Sequence, residues 1–174
     1  VERWDRAIAV IETPPGRRAI AVMAEDVSDV VPLQAVLRDV WSAHVLFAAA
    51  DPDRVAGIID MHAASIDAPV IDIGRLLGSW RTQTRAEGAD PAAEWSAALA
   101  AYEAVRQLSP VERAAVPVVA AAGVIVGLDT WFRWLIEERR TFPSQGAVLD
   151  RIDWLLNALP TAIETLCSAG LRRV

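Results

Sequence analysis

Apolar positions recur at helical spacing towards both ends of the chain and follow a different rhythm between them. Trp4, Ala7, Ile8 and Ile11 fit one helix face, Pro14-Pro15-Gly16 interrupts it, and Ala19, Val22, Met23 and Val27 resume the pattern until Pro32. Two helices are therefore predicted over residues 1–31. Short apolar runs follow at Leu33–Leu37, His44–Phe47 and Arg54–Ile59, the last rich in β-branched residues, with Asp51-Pro52-Asp53 as a turn signal. They predict a small β element at about 33–60 with polar residues at its strand ends. Helical texture then returns. Asp67-Ala68-Pro69 starts a helix with Ile71, Leu76 and Leu77 that ends near Gly78-Ser79-Trp80, and a polar loop follows over residues 82–90. Pro91 opens a helix carrying Trp95, Leu99, Tyr102 and Val105. Ser109-Pro110-Val111-Glu112 opens another, bent at Pro117 and running to about Arg140. Ser144–Leu159 is one more, and a last helix after Pro160 carries Ile163 and Leu166. The fold class is α+β, mostly α: a small β element on a helical body, as a single domain over residues 1–174.

Composition narrows the chemistry. A chain of 174 residues, 53% apolar, supports one domain with a real core. All 17 basic residues are arginine, so no Walker phosphate loop, Schiff base or kinase strand lysine can come from this chain. One cysteine, Cys167, excludes an intrachain disulfide, and two histidines exclude a His-rich metal centre. The net charge of −6 argues against nucleic acid and is compatible with a cationic, amine-bearing ligand. The 15-residue charge-free run Ala114–Leu128 is shorter than the roughly 20 apolar residues of a membrane span, so a buried central helix and no membrane are expected. The start, Val1-Glu2-Arg3-Trp4, carries neither a secretory pattern nor an initiator methionine. A cytoplasmic protein is expected, and this chain is expected to be a piece of something longer or to have been trimmed at its start.

The polar strand ends carry the candidate chemistry. Asp39 directly follows the first apolar run, Asp60 ends the third, and Asp72 lies 12 residues further on at a helix start. A carboxylate at a strand terminus is held rigidly yet exposed, and two from neighbouring strands can share a divalent cation and a substrate hydroxyl. Single aspartates at such places are ordinarily turn residues; the order of all three distinguishes them. That order resembles the catalytic half of the aminoglycoside phosphotransferase family, one of the protein-kinase-like enzymes, whose pattern is His-x-Asp-x-x-x-x-Asn-Val-Leu-Phe, Gly-Val-Ile-Asp-Phe-Gly, then Asp-Leu-Ala. Val36-Leu37-Arg38-Asp39, His44-Val45-Leu46-Phe47, Gly57-Ile58-Ile59-Asp60 and Asp72-Ile73-Gly74 take the four parts here, over about residues 33–80.

The resemblance implies a kinase-like C-terminal lobe that uses ATP and Mg²⁺ to phosphorylate a hydroxyl of a small molecule, an amine-bearing one fitting the acidity. In it Asp39 is the catalytic aspartate that orients the hydroxyl, Asp60 holds Mg²⁺ against the nucleotide phosphates, and Asp72 braces the catalytic loop by hydrogen bonds. His44 stands at the second metal-ligand position, normally Asn; it either binds metal or hydrogen-bonds to the phosphate or to Asp39. Leu37 replaces the loop histidine and Met61-His62 replaces Phe-Gly. The N-terminal lobe, with its glycine-rich loop and lysine, is missing, so this segment alone is expected to be inactive. The alternative is a non-catalytic kinase-like module used for binding or as a scaffold. Leu128, Trp131, Trp134 and Leu135 read as a core stripe, with a wall of the acceptor pocket as the functional reading, and Arg75 reads as a partner for Asp72 or an acidic neighbour.

Overall fold

A computed structural model describes residues 32–80 and 90–171; the two helices predicted over 1–31 and nearly all of the polar loop at 82–90 lie outside the described residues. Four short strands come first: β1 (Gln34–Val36), β2 (Val45–Ala48), β3 (Asp51–Ile58) and β4 (Ser65–Asp67). They form two antiparallel pairs rather than one three-stranded element. β1 pairs with β4, Ala35 opposite Ile66, and β2 with β3, Val45 opposite Ile58. Asp51-Pro52-Asp53 is not the turn but the start of β3; the turn is Ala49-Ala50. In a two-stranded ribbon every strand is an edge, so Pro52 sits in β3 without removing a needed ladder bond.

Four helices follow: α1 (Val70–Trp80), α2 (Pro91–Glu103), α3 (Pro110–Phe132) and α4 (Gln145–Leu171). The first begins at Val70 because Asp67, expected to open it, closes β4. At α2, Asp90 caps Pro91 at the first helical position by accepting a hydrogen bond from the Ala92 amide at 3.0 Å. That helix ends at Glu103, which leaves Val105 outside it and 92% exposed instead of buried.

The predicted capping box forms at α3: the Ser109 amide donates to Glu112 Oε2 at 2.8 Å and the Glu112 amide donates to Ser109 Oγ at 3.2 Å. Arg106 donates to the other carboxylate oxygen at 2.6 Å. The Ser109 amide, with Arg106, holds the buried Glu112 carboxyl below the usual glutamate range, although burial pushes the other way.

α3 ends at Phe132, and a π turn over Arg133–Glu137 continues it, short of the expected Arg140. α4 runs unbroken through Pro160, where two helices were expected. A proline in a helix interior costs about 3 kcal/mol. Ile163 and Leu166 beyond it are buried, each worth about 1.5–3 kcal/mol, which offsets the lost ladder bond.

The chain divides into two compact units, one spanning residues 27–120 and one that holds residues 121–174. The first has its core at Ala68, Val70, Ile73, Leu99, Leu108 and Val116, with Trp95 and Tyr102 packed against it. Gly74 lies where α1 meets α3: a Cβ there would stand 2.8 Å from the Val119 Cβ and 2.9 Å from the Val116 carbonyl oxygen. The second buries Leu128 and an α4 stripe of Val148, Ile152, Leu155, Leu159 and Leu166 at helical spacing. Trp131 and Trp134 are half-buried and stack with Phe142, at 5.1 and 6.1 Å between ring centroids. Together α3 and the π turn, 28 residues, are long and apolar enough by length and composition to cross a membrane, and only a third (33%) of the most apolar window is buried, so the helix is not the buried central one expected from the sequence. This helix is nearly twice the charge-free run, and its buried apolar positions, Val116, Ala121, Val124, Ile125 and Leu128, span about half of its circumference.

Candidate active site

All three aspartates singled out in the sequence, and His44, lie in the first compact unit. β1 ends at Val36 and the chain turns sharply: Arg38 adopts the left-handed conformation, φ 62°. For a residue with a Cβ this is costly, and the loop needs a brace. Asp72, in the first turn of α1, supplies it. The Leu37 amide donates to Asp72 Oδ2 at 2.7 Å and the Arg38 amide donates to Oδ1 at 2.8 Å. Asp72 is half-buried, and the two amides it takes sit just ahead of Asp39.

The loop continues into a 3₁₀ turn, Ser42–His44, which leads directly into β2. The Ser42 amide donates to Ser79 Oγ at 2.9 Å, and that hydroxyl donates to the Leu76 carbonyl at 2.7 Å. Asp39 itself is half-exposed, and its Oδ1 accepts from Arg75 Nη2 at 2.6 Å. Asp72, Arg75 and Ser79 fall at i, i+3 and i+7, one face of α1, and all three hold the 37–42 loop. Sequence reading singled out Asp72, left Arg75 between acidic partners and missed Ser79. The signal was available: three polar residues at helical spacing within an otherwise apolar helix.

His44 is buried, and both ring nitrogens have partners. Nδ1 lies 2.8 Å from the Asp39 carbonyl oxygen, and the Trp41 indole N–H donates to Nε2. An indole nitrogen can only donate, so Nε2 is the acceptor and the ring proton sits on Nδ1, donating to Asp39. Of the alternatives open for His44, the hydrogen bond to Asp39 is the one made, at its backbone.

Asp60 follows β3, where the Ile59 amide donates to the His44 carbonyl at 3.0 Å and sets the two strand ends side by side. Asp60 is also left-handed, φ 62°. Its Oδ2 stands 3.8 Å from His44 Nε2, while Oδ1 accepts from His62 Nδ1 at 2.5 Å. His62, exposed and taken in the sequence only as a departure from Phe-Gly, is thus a direct partner of Asp60. Asp39 and Asp60 accordingly flank one buried histidine: its Nδ1 binds the backbone of the first and its Nε2 faces the carboxylate of the second.

The donor set suits a cation only in a restricted way. Among the described residues no group of three or more His, Cys, Asp and Glu could hold a metal by itself. Mg²⁺ is commonly held by one or two carboxylates completed by water and substrate phosphates, and the exposed Asp60 carboxylate fits that use. The His44 nitrogens, already engaged and softer than oxygen, fit it poorly.

Residues 2–108 match the family model described as the phosphotransferase enzyme family. The chain is 36% identical over 84 residues to a homoserine kinase of Granulibacter bethesdensis, covering 48% of this chain and 26% of that protein. It is 37% identical over 93 residues to a homoserine kinase of Gluconacetobacter diazotrophicus, covering 53% and 27%, and 38% identical over 82 residues to one of Methylorubrum populi, covering 47% and 24%. The chain spans about a quarter of the length of these curated relatives. With more than half of its residues inside the family match, this chain belongs to the phosphotransferase enzyme family.

Proposed function

We propose that this chain forms the acceptor and metal side of a small-molecule phosphotransferase, transferring the γ-phosphoryl group of ATP to a hydroxyl. The observation that carries the reading is the bracketing of His44 by the Asp39 backbone carbonyl at 2.8 Å and the Asp60 carboxylate at 3.8 Å, which brings the two aspartates to neighbouring loop and strand ends. In this reading Asp39 orients the acceptor hydroxyl and takes its proton, and Asp60 offers an oxygen to Mg²⁺, which when bound neutralises charge on the phosphates. Asp72 fixes the loop that carries Asp39, and His44 ties the Asp39 backbone to the strand end that carries Asp60. A lysine paired with the phosphates has to come from outside this chain, which has none. By itself the chain is therefore expected to bind nucleotide weakly and turn over little. The exposed apolar side chains of the β2–β3 ribbon, among them Leu46, Val55 and Ile58, support a further part of the protein covering it. The relatives' names and the net charge of −6 favour an amine-bearing acceptor, with homoserine the first to try.

The test is ATP consumption by the full-length protein with Mg²⁺ and a panel of hydroxyl compounds, homoserine included. Asp39→Ala should lower the rate roughly 10²–10⁴-fold, the usual worth of a positioned acid or base, with Mg·ATP binding nearly intact. Asp60→Ala should weaken both Mg·ATP binding and rate. Equal turnover in wild type and Asp39→Ala would remove Asp39 from the mechanism. A second reading, a non-catalytic kinase-like module, is favoured by the engagement of both His44 nitrogens where the family places a second metal ligand. It expects no turnover with any acceptor.

A further inference from the structure

On the reading of Asp39 as the residue that orients the acceptor hydroxyl, we infer that Arg75 is its positioning residue: the guanidinium pins one carboxylate oxygen so that the other faces the acceptor. Arg75 Nη2 donates to Asp39 Oδ1 at 2.6 Å, and Arg75 has no other ion-pair partner among the described residues. The second carboxylate oxygen, Oδ2, makes no hydrogen bond among them. One oxygen is held and one is left for a ligand, as a group that must present a single lone pair in a fixed direction requires.

Three features favour orientation over stability as the use of this pair. Both side chains are more than a third exposed, 37% for Arg75 and 40% for Asp39, and ion pairs so exposed add little to folding. Asp39 also lacks help from its own loop: position 37, a histidine in the family pattern, is leucine here and offers no side-chain hydrogen bond. Its backbone is anchored at the carbonyl by His44 Nδ1, which leaves the carboxylate free to rotate about χ1 and χ2 unless something outside the loop holds it. Arg75 is that restraint. It is also built on the element that fixes the loop backbone, one helical turn after Asp72, so backbone and carboxylate are referenced to one rigid helix.

Positioning makes a prediction that a structural ion pair does not. In the full-length protein, assayed with Mg·ATP and homoserine or whichever panel compound is turned over best, Arg75→Ala should lower kcat by roughly 10²-fold, the penalty for a reacting group misplaced by about an ångström. The KM for Mg·ATP and its calorimetric Kd should stay within about threefold, because the nucleotide side does not involve Arg75. Arg75→Lys, which keeps the charge but not the planar fork, should recover part of the loss. In the Asp39→Asn background, Arg75→Ala should cost less than about threefold further, since there is no carboxylate left to orient. The inference is overturned if Arg75→Ala leaves kcat unchanged, if it costs the same factor in both backgrounds, or if Mg·ATP binding falls with the rate. Loss of rate in Asp39→Asn but not in Arg75→Ala would overturn this inference alone. Absence of turnover in the wild type would overturn the phosphotransferase reading and this inference with it.

Discussion

Removing the Asp72 carboxylate should loosen the catalytic loop locally before it unfolds anything else. Asp72→Ala deletes two hydrogen bonds, at 2.7 Å from the Leu37 amide and 2.8 Å from the Arg38 amide. Hydrogen bonds to a charged acceptor are worth about 1.5–3 kcal/mol each. The Arg38 amide is exposed and recovers much of its loss from water, whereas the Leu37 amide, partly buried, recovers less. The left-handed Arg38, φ 62°, adds its own tendency to relax, on the order of 1 kcal/mol, once nothing holds it. Together these give a local destabilisation of about 2–4 kcal/mol. The matching readout is amide hydrogen exchange, because local opening is measured residue by residue. Leu37 and Arg38 should exchange roughly 30- to 700-fold faster in Asp72→Ala, at about tenfold per 1.4 kcal/mol. Core amides such as those of Leu155 and Leu159 should move far less. Asp72→Asn should fall between, since its amide keeps one acceptor and turns an N–H₂ towards the other donor. Unchanged exchange at Leu37 and Arg38, or equal acceleration throughout the chain, would refute the brace.

Two further outcomes follow from the packing. Gly74→Ala should lower the melting temperature: overpacking against the Val116 carbonyl at 2.9 Å and the Val119 Cβ at 2.8 Å costs about 1–3 kcal/mol, against about 1 kcal/mol gained in helix propensity. Gly123→Ala, in the same kind of helical site but with nothing within 4 Å of the new Cβ, should raise it, by about 0.5–1 kcal/mol in stability, so thermal scans of the pair should shift in opposite directions. Glu112 has a folded pKa held below its ordinary value of 4.5, so its contribution to stability is present above that pH and is lost as pH falls through the folded value. Denaturant titrations from pH 6 downward, a range set by the ordinary carboxylate values, should show a smaller acid-side loss in Glu112→Gln than in wild type.

The legible parts of this fold were those whose physics is local. Asp90-Pro91 and Ser109-Pro110-Val111-Glu112 announce helix starts because cap and carboxylate satisfy amides within one turn, and both formed. Asp39 and Asp60 stood out because strand, aspartate and the next strand lie within a short span, although the strands ahead of them, β1 and β3, belong to different pairs rather than neighbouring each other. What escaped depends on distant partners. β4 is three residues whose pairing with β1 spans about thirty positions, so nothing in Ser65-Ile66-Asp67 marks it. The hairpin turn was misplaced because Ala49-Ala50 has no turn chemistry while Asp51-Pro52-Asp53 has a good deal. Pro160 reads as a break only to someone who cannot see that the buried stripe of α4 continues past it. The partners of Arg75 and Ser79, 36 and 37 residues away, become visible only when α1 lies beside the loop.

The stripe formed by Asp72, Arg75 and Ser79 has a consequence for heredity. The shape of the 37–42 loop is encoded mainly outside it, on one helical face some thirty-five residues downstream. Loop and helix face are then a single unit of inheritance. Recombination that exchanges residues 37–44 between distant family members separates a loop from its template, whereas an exchange spanning 33–80 carries both. A change at 72, 75 or 79 is repaired most readily by a second change inside the loop. The two segments should therefore wander through sequence space as a pair.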